Sequence, residues 1–218
     1  MINEKKRAEK IIKLLQKTYP HAQCGLVHNN PFQLLVATIL SAQCTDKRVN
    51  IITKELFKNY STAADLARLT PEELAEDIKG CGLHRNKSRA IIETCRILVN
   101  KYGGEVPRDR EALEALPGVG RKTAGVVLGV AFGQPTLPVD THVNRVAHRL
   151  ELASGKNPET TEQELMQCIP RELWQTSHHL FIAHGRETCD ARRPKCGTCP
   201  IISMCSKRLE VSVRKGAR

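Results

Sequence analysis

Aromatic side chains are scarce in this chain, with four Phe, three Tyr and one Trp among 218 residues. A protein that binds single strands by stacking bases on rings needs more of them, so that class loses ground at once. The opening segment MINEKKRAEK is charged and lacks the apolar stretch of a secretion signal. The longest purely apolar run is short, around Leu34–Val36, and its helix cannot span a bilayer. No fixed-period repeat and no low-complexity tract is present. Alternating strand patterns are missing apart from a short Val211-Ser212-Val213. A soluble, cytoplasmic, all-α protein without a membrane partner is the expectation.

What the chain does have is positive charge. It carries 34 Lys+Arg against 23 Asp+Glu, a formal net charge of +11, on an ordinary globular background of 40% hydrophobic residues. That excess points to a polyanionic partner, most often nucleic acid. Nine cysteines suit a reducing compartment only if they are not disulfides. Cys24, Cys44, Cys81, Cys95 and Cys168 are scattered singly and read as small core residues. Cys189, Cys196, Cys199 and Cys205 crowd together near the C-terminus and need another explanation.

Helical spacing runs nearly throughout. Ile11, Ile12, Leu14 and Leu15 follow it, as do Leu34, Leu35, Thr38 and Ile39, then Val49, Ile52 and Leu56. Thr70-Pro71-Glu72-Glu73 predicts a helix start with Thr70 as N-cap and Glu73 closing a capping box. Asp46 and Asp109 also stand where caps are expected. Glycine and proline mark the joints, and Gly133-Gln134-Pro135-Thr136-Leu137-Pro138 is the best candidate for a domain boundary.

One joint is chemically suggestive. Leu113 and Leu116 lead into Pro117-Gly118-Val119-Gly120-Arg121-Lys122-Thr123-Ala124, and Val126, Val127 and Leu128 follow. A Gly-x-Gly turn between apolar helices uncovers amide N–H groups at the positive end of the second helix, a surface that suits phosphate. The pattern resembles the helix-hairpin-helix motif, which grips DNA backbone without reading bases, through Gly118, Gly120 and Arg121. An ordinary αα-corner with solvated Arg121 and Lys122 is the alternative. Further on, Leu137-Pro138-Val139-Asp140-Thr141-His142-Val143-Asn144-Arg145-Val146 puts Asp140 at the start of an amphipathic helix. As a lone residue Asp140 is best read as an N-cap. Paired with Lys122, it would supply the proton-handling partner of a nucleophilic amine.

Together, LPGVGRKTAGVVL and VDTHVNRVAHRL resemble the catalytic core of the endonuclease III family. Those proteins are DNA glycosylases with abasic-site lyase activity that act on oxidised pyrimidines. The resemblance implies that Lys122 attacks C1′ of the deoxyribose and that Asp140 assists. It also implies a Schiff base with the opened sugar and a β-elimination that nicks the strand. Attack requires the uncharged amine, which a part-buried setting at a helix N-terminus beside Arg121 would favour.

The spacing Cys189-x6-Cys196-x2-Cys199-x5-Cys205 lets four thiolates converge on a soft metal centre, with structural zinc or a redox-active Cys196/Cys199 pair as alternatives. It resembles the [4Fe–4S] loop of the same family. That likeness implies a structural cluster shaping a basic loop of Arg192, Arg193 and Lys195 for DNA phosphates.

Chemistry at C1′ requires the nucleotide to be flipped out of the stack. Ser41-Ala42-Gln43-Cys44-Thr45-Asp46 resembles the family segment whose glutamine fills the vacated space, which points to Gln43. Gly80-Cys81-Gly82-Leu83-His84-Arg85-Asn86-Lys87 resembles the loop whose leucine wedges the opposite strand, and Leu83 is the match. His142 lines the damaged-base pocket or supports its helix, and Arg145 is a further DNA contact in this reading.

The resemblance implies a two-domain helix-hairpin-helix glycosylase fold. It expects a six-helix barrel over 22–133 and a cluster domain joining 1–21 to 134–218, acting as a monomer on duplex DNA with damaged bases or abasic sites. The alternatives are a monofunctional mismatch glycosylase of the same superfamily and a non-catalytic hairpin protein with a zinc loop. Residues 79–101 carry six basic and one acidic side chain, residues 189–218 eight and two, so these stretches hold the whole +11.

Overall fold

A computed structural model describes residues 2–205. The Val211–Val213 stretch read as a possible strand lies outside the described residues. Among the described residues eleven α-helices follow in chain order: α1 (Ile2–Thr18), α2 (Pro31–Leu40), α3 (Asp46–Asn59), α4 (Ala63–Ala67), α5 (Pro71–Asp77), α6 (His84–Tyr102), α7 (Arg110–Glu114), α8 (Arg121–Phe132), α9 (Thr141–Arg149), α10 (Pro158–Cys168) and α11 (Trp174–Glu187). Among the described residues there is no strand. None of their helices is long and apolar enough to cross a membrane.

The chain divides into two compact units, one spanning Cys24–Thr136 and one joining the residues up to Gln23 with those from Leu137 onward. Each has its own apolar core.

In the unit Cys24–Thr136, α2 is the central helix, buried along Phe32–Leu40. A helix that is apolar all round has no solvent face and settles inside a core. Asn30 caps it, accepting from the Gln33 amide at 2.9 Å, and buried Gln33 is satisfied by the Asn29 amide at 2.8 Å. α2 packs on α8, while α4 and α5 pack on α6. Each fully buried Leu or Ile contributes about 1.5–3 kcal/mol before ordering costs. Thr70 caps α5 with the reciprocal Glu73 contact, and Asp109 caps α7. Asp46 does not cap α3. Thr45 does so, accepting from the Arg48 amide, and Asp46 occupies the first helical position, where its charge still faces the positive helix end.

In the other unit, α1 buries Ala8, Ile11, Ile12 and Leu15 in a core with Val143, Val146, Leu180 and Phe181. Arg7 of α1 donates to the carbonyls of Leu150 and Met204, tying the helix to segments far along the chain. α9 and α11 approach closely at Gly185, where an added Cβ would stand 3.0 Å from the His142 Cβ.

Candidate active site and cluster loop

The hairpin is built from α7, the turn Pro117–Gly120 and α8. Leu113, Leu116 and Val119 anchor it in the core. Gly118 has φ +76, and a Cβ there would meet the Ala90 Cβ at 3.0 Å. Gly118→Ala therefore carries both a left-handed backbone cost and a contact with α6, and is expected to lower stability by about 1–3 kcal/mol in urea unfolding. Gly120 is different. Its backbone is extended, it caps α8 without a side chain, and nothing lies within 4 Å of the place a Cβ would take. The N-terminus of α8 is thus open to an approaching phosphate. Lys122 sits in that first turn and is exposed, not part-buried as the sequence reading expected. Arg121 is half-buried beside it.

Gln43 and Leu83 are both exposed, and both hold left-handed backbones, with φ +53 and +58. Such conformations cost a non-glycine residue about 1–2 kcal/mol and persist where surrounding structure enforces them. Leu83, 54% exposed, occupies the N-cap position of α6 and makes no side-chain cap. The two loops are neighbours. Arg48 Nε donates to Gly80 O at 3.1 Å, a Cβ on Gly82 would contact Gln43 O at 3.4 Å, and the Cys44 thiol donates to Cys81 Sγ at 3.8 Å. Cys44 and Cys81 belong to the core as the sequence suggests, and they also meet as a pair. Lys87, counted in the basic stretch, is buried with Nζ donating to Leu40 O at 2.8 Å, so it supports the loop from within.

Replacing Leu83 with glycine separates its two attributes. Glycine accepts φ near +60 freely, so stability should hold or rise by up to about 1 kcal/mol. If Leu83 is the wedge that the resemblance implies, loss of the apolar tip should slow base excision from duplex DNA by about tenfold or more, as unstacking a step costs a few kcal/mol. Unchanged excision by Leu83→Gly would return the residue to an ordinary loop.

In the other unit, Asp140 is the N-cap of α9, with Oδ1 accepting from the amides of His142 and Val143 at 2.8 Å each. Two residues before it, Pro138 O accepts from buried His178 Nδ1 at 2.7 Å. Burial holds the His142 imidazole below its ordinary range, against the opposing pull of Asp140. His142 Nδ1 lies 3.1 Å from Arg145 Nη2. The Arg145 guanidinium is engaged internally, donating to Gly185 O at 2.8 Å and Cys189 O at 3.1 Å.

Cys189 follows α11, and two 3₁₀ turns, Cys196–Thr198 and Ile202–Met204, carry the chain past Cys199 to Cys205. All four cysteines line one small cavity with Val146, Leu150, Ile201 and His184. Burial raises the Cys199 thiol, and the charges of Cys189, Cys205 and Cys196 raise it further. A thiol whose ionisation is opposed by burial and by its neighbours fits a cationic centre that compensates it. Among the described residues no three His, Cys, Asp or Glu groups are placed to hold a single metal ion. Two donors missed by the sequence reading support the thiolates: Arg149 Nη1 lies 3.3 Å from Cys189 Sγ, and His184 Nε2 lies 3.9 Å from Cys199 Sγ. His184 is pushed down to about 4 by burial and stays neutral. Its Nδ1 meets the Tyr19 hydroxyl at 3.0 Å. No local sequence signal marks these partners. Arg192 and Arg193 amides donate to Asp190 Oδ1 at 2.9 Å, and the side chains of Arg192, Arg193 and Lys195 are exposed.

An open glycine hairpin followed by a four-thiolate pocket defines a class, the cluster-bearing helix-hairpin-helix proteins. Residues 36–171 match the HhH-GPD superfamily of base excision DNA repair proteins, and residues 189–205 match the iron-sulfur binding domain of endonuclease III. The chain is 50% identical to endonuclease III of Bacillus subtilis (strain 168), over 86% of each. It is 47% identical to endonuclease III of Escherichia coli (strain K12), over 97% of this chain and all of that one. A solved structure of a trapped endonuclease III–DNA covalent intermediate superposes with a TM-score of 0.89 at 48% identity, covering 93% of this chain and 96% of that one. The chain belongs to the endonuclease III family of the HhH-GPD superfamily, and its cofactor is a [4Fe–4S] cluster.

Proposed function

We propose that this chain removes oxidised pyrimidines from duplex DNA and then cuts the strand at the resulting abasic site, with Lys122 as nucleophile and Asp140 as its proton-handling partner. The observation that carries the reading is Lys122 itself, exposed in the first turn of α8 beside a glycine that leaves the helix end open. That a relative 48% identical has been trapped as a covalent intermediate with DNA supports a nucleophilic route.

The steps follow from the groups present. The helix end and Arg121 hold phosphates on the lesion strand. Gln43 and Leu83 fill the stack as the nucleotide turns out. The uncharged Lys122 amine attacks C1′, the N-glycosidic bond breaks, and the base leaves as it gains a proton. The amine nitrogen gives up a proton, O4′ takes one up as the C1′–O4′ bond breaks to leave the Schiff base, and Asp140 stabilises the charge that develops. Removal of a C2′ proton then expels the 3′ phosphate, and water releases Lys122. His142, half-buried and held below its ordinary range by burial, stands two residues from Asp140 and lines the base pocket in this reading.

Cys189, Cys196, Cys199 and Cys205 would hold the cluster, which when bound cross-links the loop that presents Arg193 and Lys195. Arg145 shapes that loop from within by holding Cys189 O. Two separate apolar cores support a barrel domain over 22–133 and a cluster domain formed by 1–21 with 134–218. The protein works as a monomer on nucleoid DNA in the cytoplasm.

A duplex carrying one thymine glycol tests the reading. Base release, a nick 3′ to the lesion and a borohydride-trapped adduct are expected. Base release without a nick would favour a monofunctional glycosylase, and binding without either would favour a non-catalytic hairpin protein.

A further inference from the structure

Five cysteines lie outside the cluster loop, and only two of them meet. Cys44 follows Gln43, and Cys81 stands two residues before Leu83, so the pair bridges the two loops that carry the left-handed residues. Their sulfurs are 3.8 Å apart, against about 2.05 Å in a disulfide. Cys81 is 1% exposed, whereas Cys44 is half-buried and open to a small reagent. Both loops are tight turns, with Cys44 N donating to Ser41 O at 3.1 Å and Cys81 N to Ile78 O at 2.8 Å. A shift of either sulfur is therefore transmitted to its neighbours.

We propose that Cys44 and Cys81 form an oxidisable dithiol, a modification site for small-molecule disulfides, whose closure staples the two base-opening loops and reversibly silences excision. The function assigned to the staple rests on the reading of Gln43 and Leu83 given above.

The chemistry is thiol–disulfide exchange. The Cys44 thiolate attacks one sulfur of a small disulfide, a mixed disulfide forms, and one thiolate leaves and takes up a proton. Cys81 then gives its proton to solvent and attacks the Cys44 sulfur, expelling the second small thiolate. In total the protein loses two thiol hydrogens and two electrons, and the reagent becomes two thiols. Cys81 is the slower partner. Burial, followed by neighbouring Cys44, pushes its thiol up to about 11, while Lys87 and Arg48 act in the opposite sense. The ring closes because attack on the mixed disulfide is intramolecular across a contact already made. Closing the sulfurs from 3.8 Å draws residues 41–45 and 80–83 together and pulls Gln43 and Leu83 from the positions the separate loops give them. In a reducing compartment such a bond forms transiently, which suits a regulatory and not a structural role.

The test uses the cluster-loaded protein under anaerobic conditions, treated with glutathione disulfide while cluster absorbance near 410 nm is followed. Non-reducing digestion and mass spectrometry should find a Cys44–Cys81 cross-link, with thymine-glycol excision reduced about tenfold or more and restored by dithiothreitol at constant absorbance. Cys44→Ser and Cys81→Ser should retain excision and resist the reagent. No cross-link in the treated protein of unaltered sequence would overturn the proposal, as would a cross-link with undiminished excision or equal loss of excision in Cys44→Ser. The base-opening reading is judged separately, by Leu83→Gly in the reduced protein, so the two can fail independently.

Discussion

Lys122→Gln should abolish borohydride trapping on damaged duplex DNA and slow strand cleavage by at least about 10³-fold, the scale on which a covalent route is lost with its nucleophile. Duplex binding should persist, since the open end of α8 and the surrounding cations remain. Stability should change by no more than about 0.5 kcal/mol, because the side chain is exposed and removes no packing. Single-turnover rates and trapping yield check the chemistry, and a salt titration of binding checks that the phosphate contacts survive. Full trapping by the glutamine variant would remove Lys122 from the reaction.

The second large effect is expected at Asp140, where position alone suggests two jobs. Oδ1 accepts from two α9 amides at 2.8 Å, and asparagine offers the same acceptor. Asp140→Asn should therefore keep the cap and hold stability within about 1 kcal/mol, the difference being the lost charge at a helix N-terminus. Asp140→Ala should lose the cap as well, at about 0.5–2 kcal/mol. If the carboxylate serves the reaction, both variants should slow base excision by about 10²–10⁴-fold, the usual weight of a positioned acid–base group. A rate that falls only in the alanine variant, in proportion to lost stability, would leave Asp140 as a cap alone.

How much of this was legible depended on whether the determining interaction is local. Thr70 and Asp109 cap their helices as the sequence predicts, because a cap joins residues three apart. Thr45 and Asp46 are adjacent cap-competent residues, and the pattern cannot rank them without the backbone. The all-helical fold, the hairpin and the four crowded cysteines are short-range patterns and could be read directly. The Cys44–Cys81 contact spans two loops, and the donors to the cluster thiolates come from α9 and α11, so no spacing rule finds them. Charge counting had a similar limit. Lys87 adds to a basic stretch on paper, yet its ammonium lies indoors on a carbonyl. The left-handed backbone beside Gly80 and Gly82 belongs to Leu83, and a Cβ on Gly80 would meet the movable end of the Arg48 side chain.

The housing of α1 has a consequence for synthesis. Its apolar stripe, Ala8, Ile11, Ile12 and Leu15, shares a core with Tyr19 nearby, and the other described members of that core all follow the Cys24–Thr136 unit, Phe181 among them. At about 5–20 residues per second, that leaves the helix on the order of 10–30 s on the ribosome without its core. The hairpin-bearing unit has all its sequence available well before then. The helix made ahead of that unit is the one that must wait, and a nascent chain holding that stripe in the open is the form most exposed to chaperones and to misassembly.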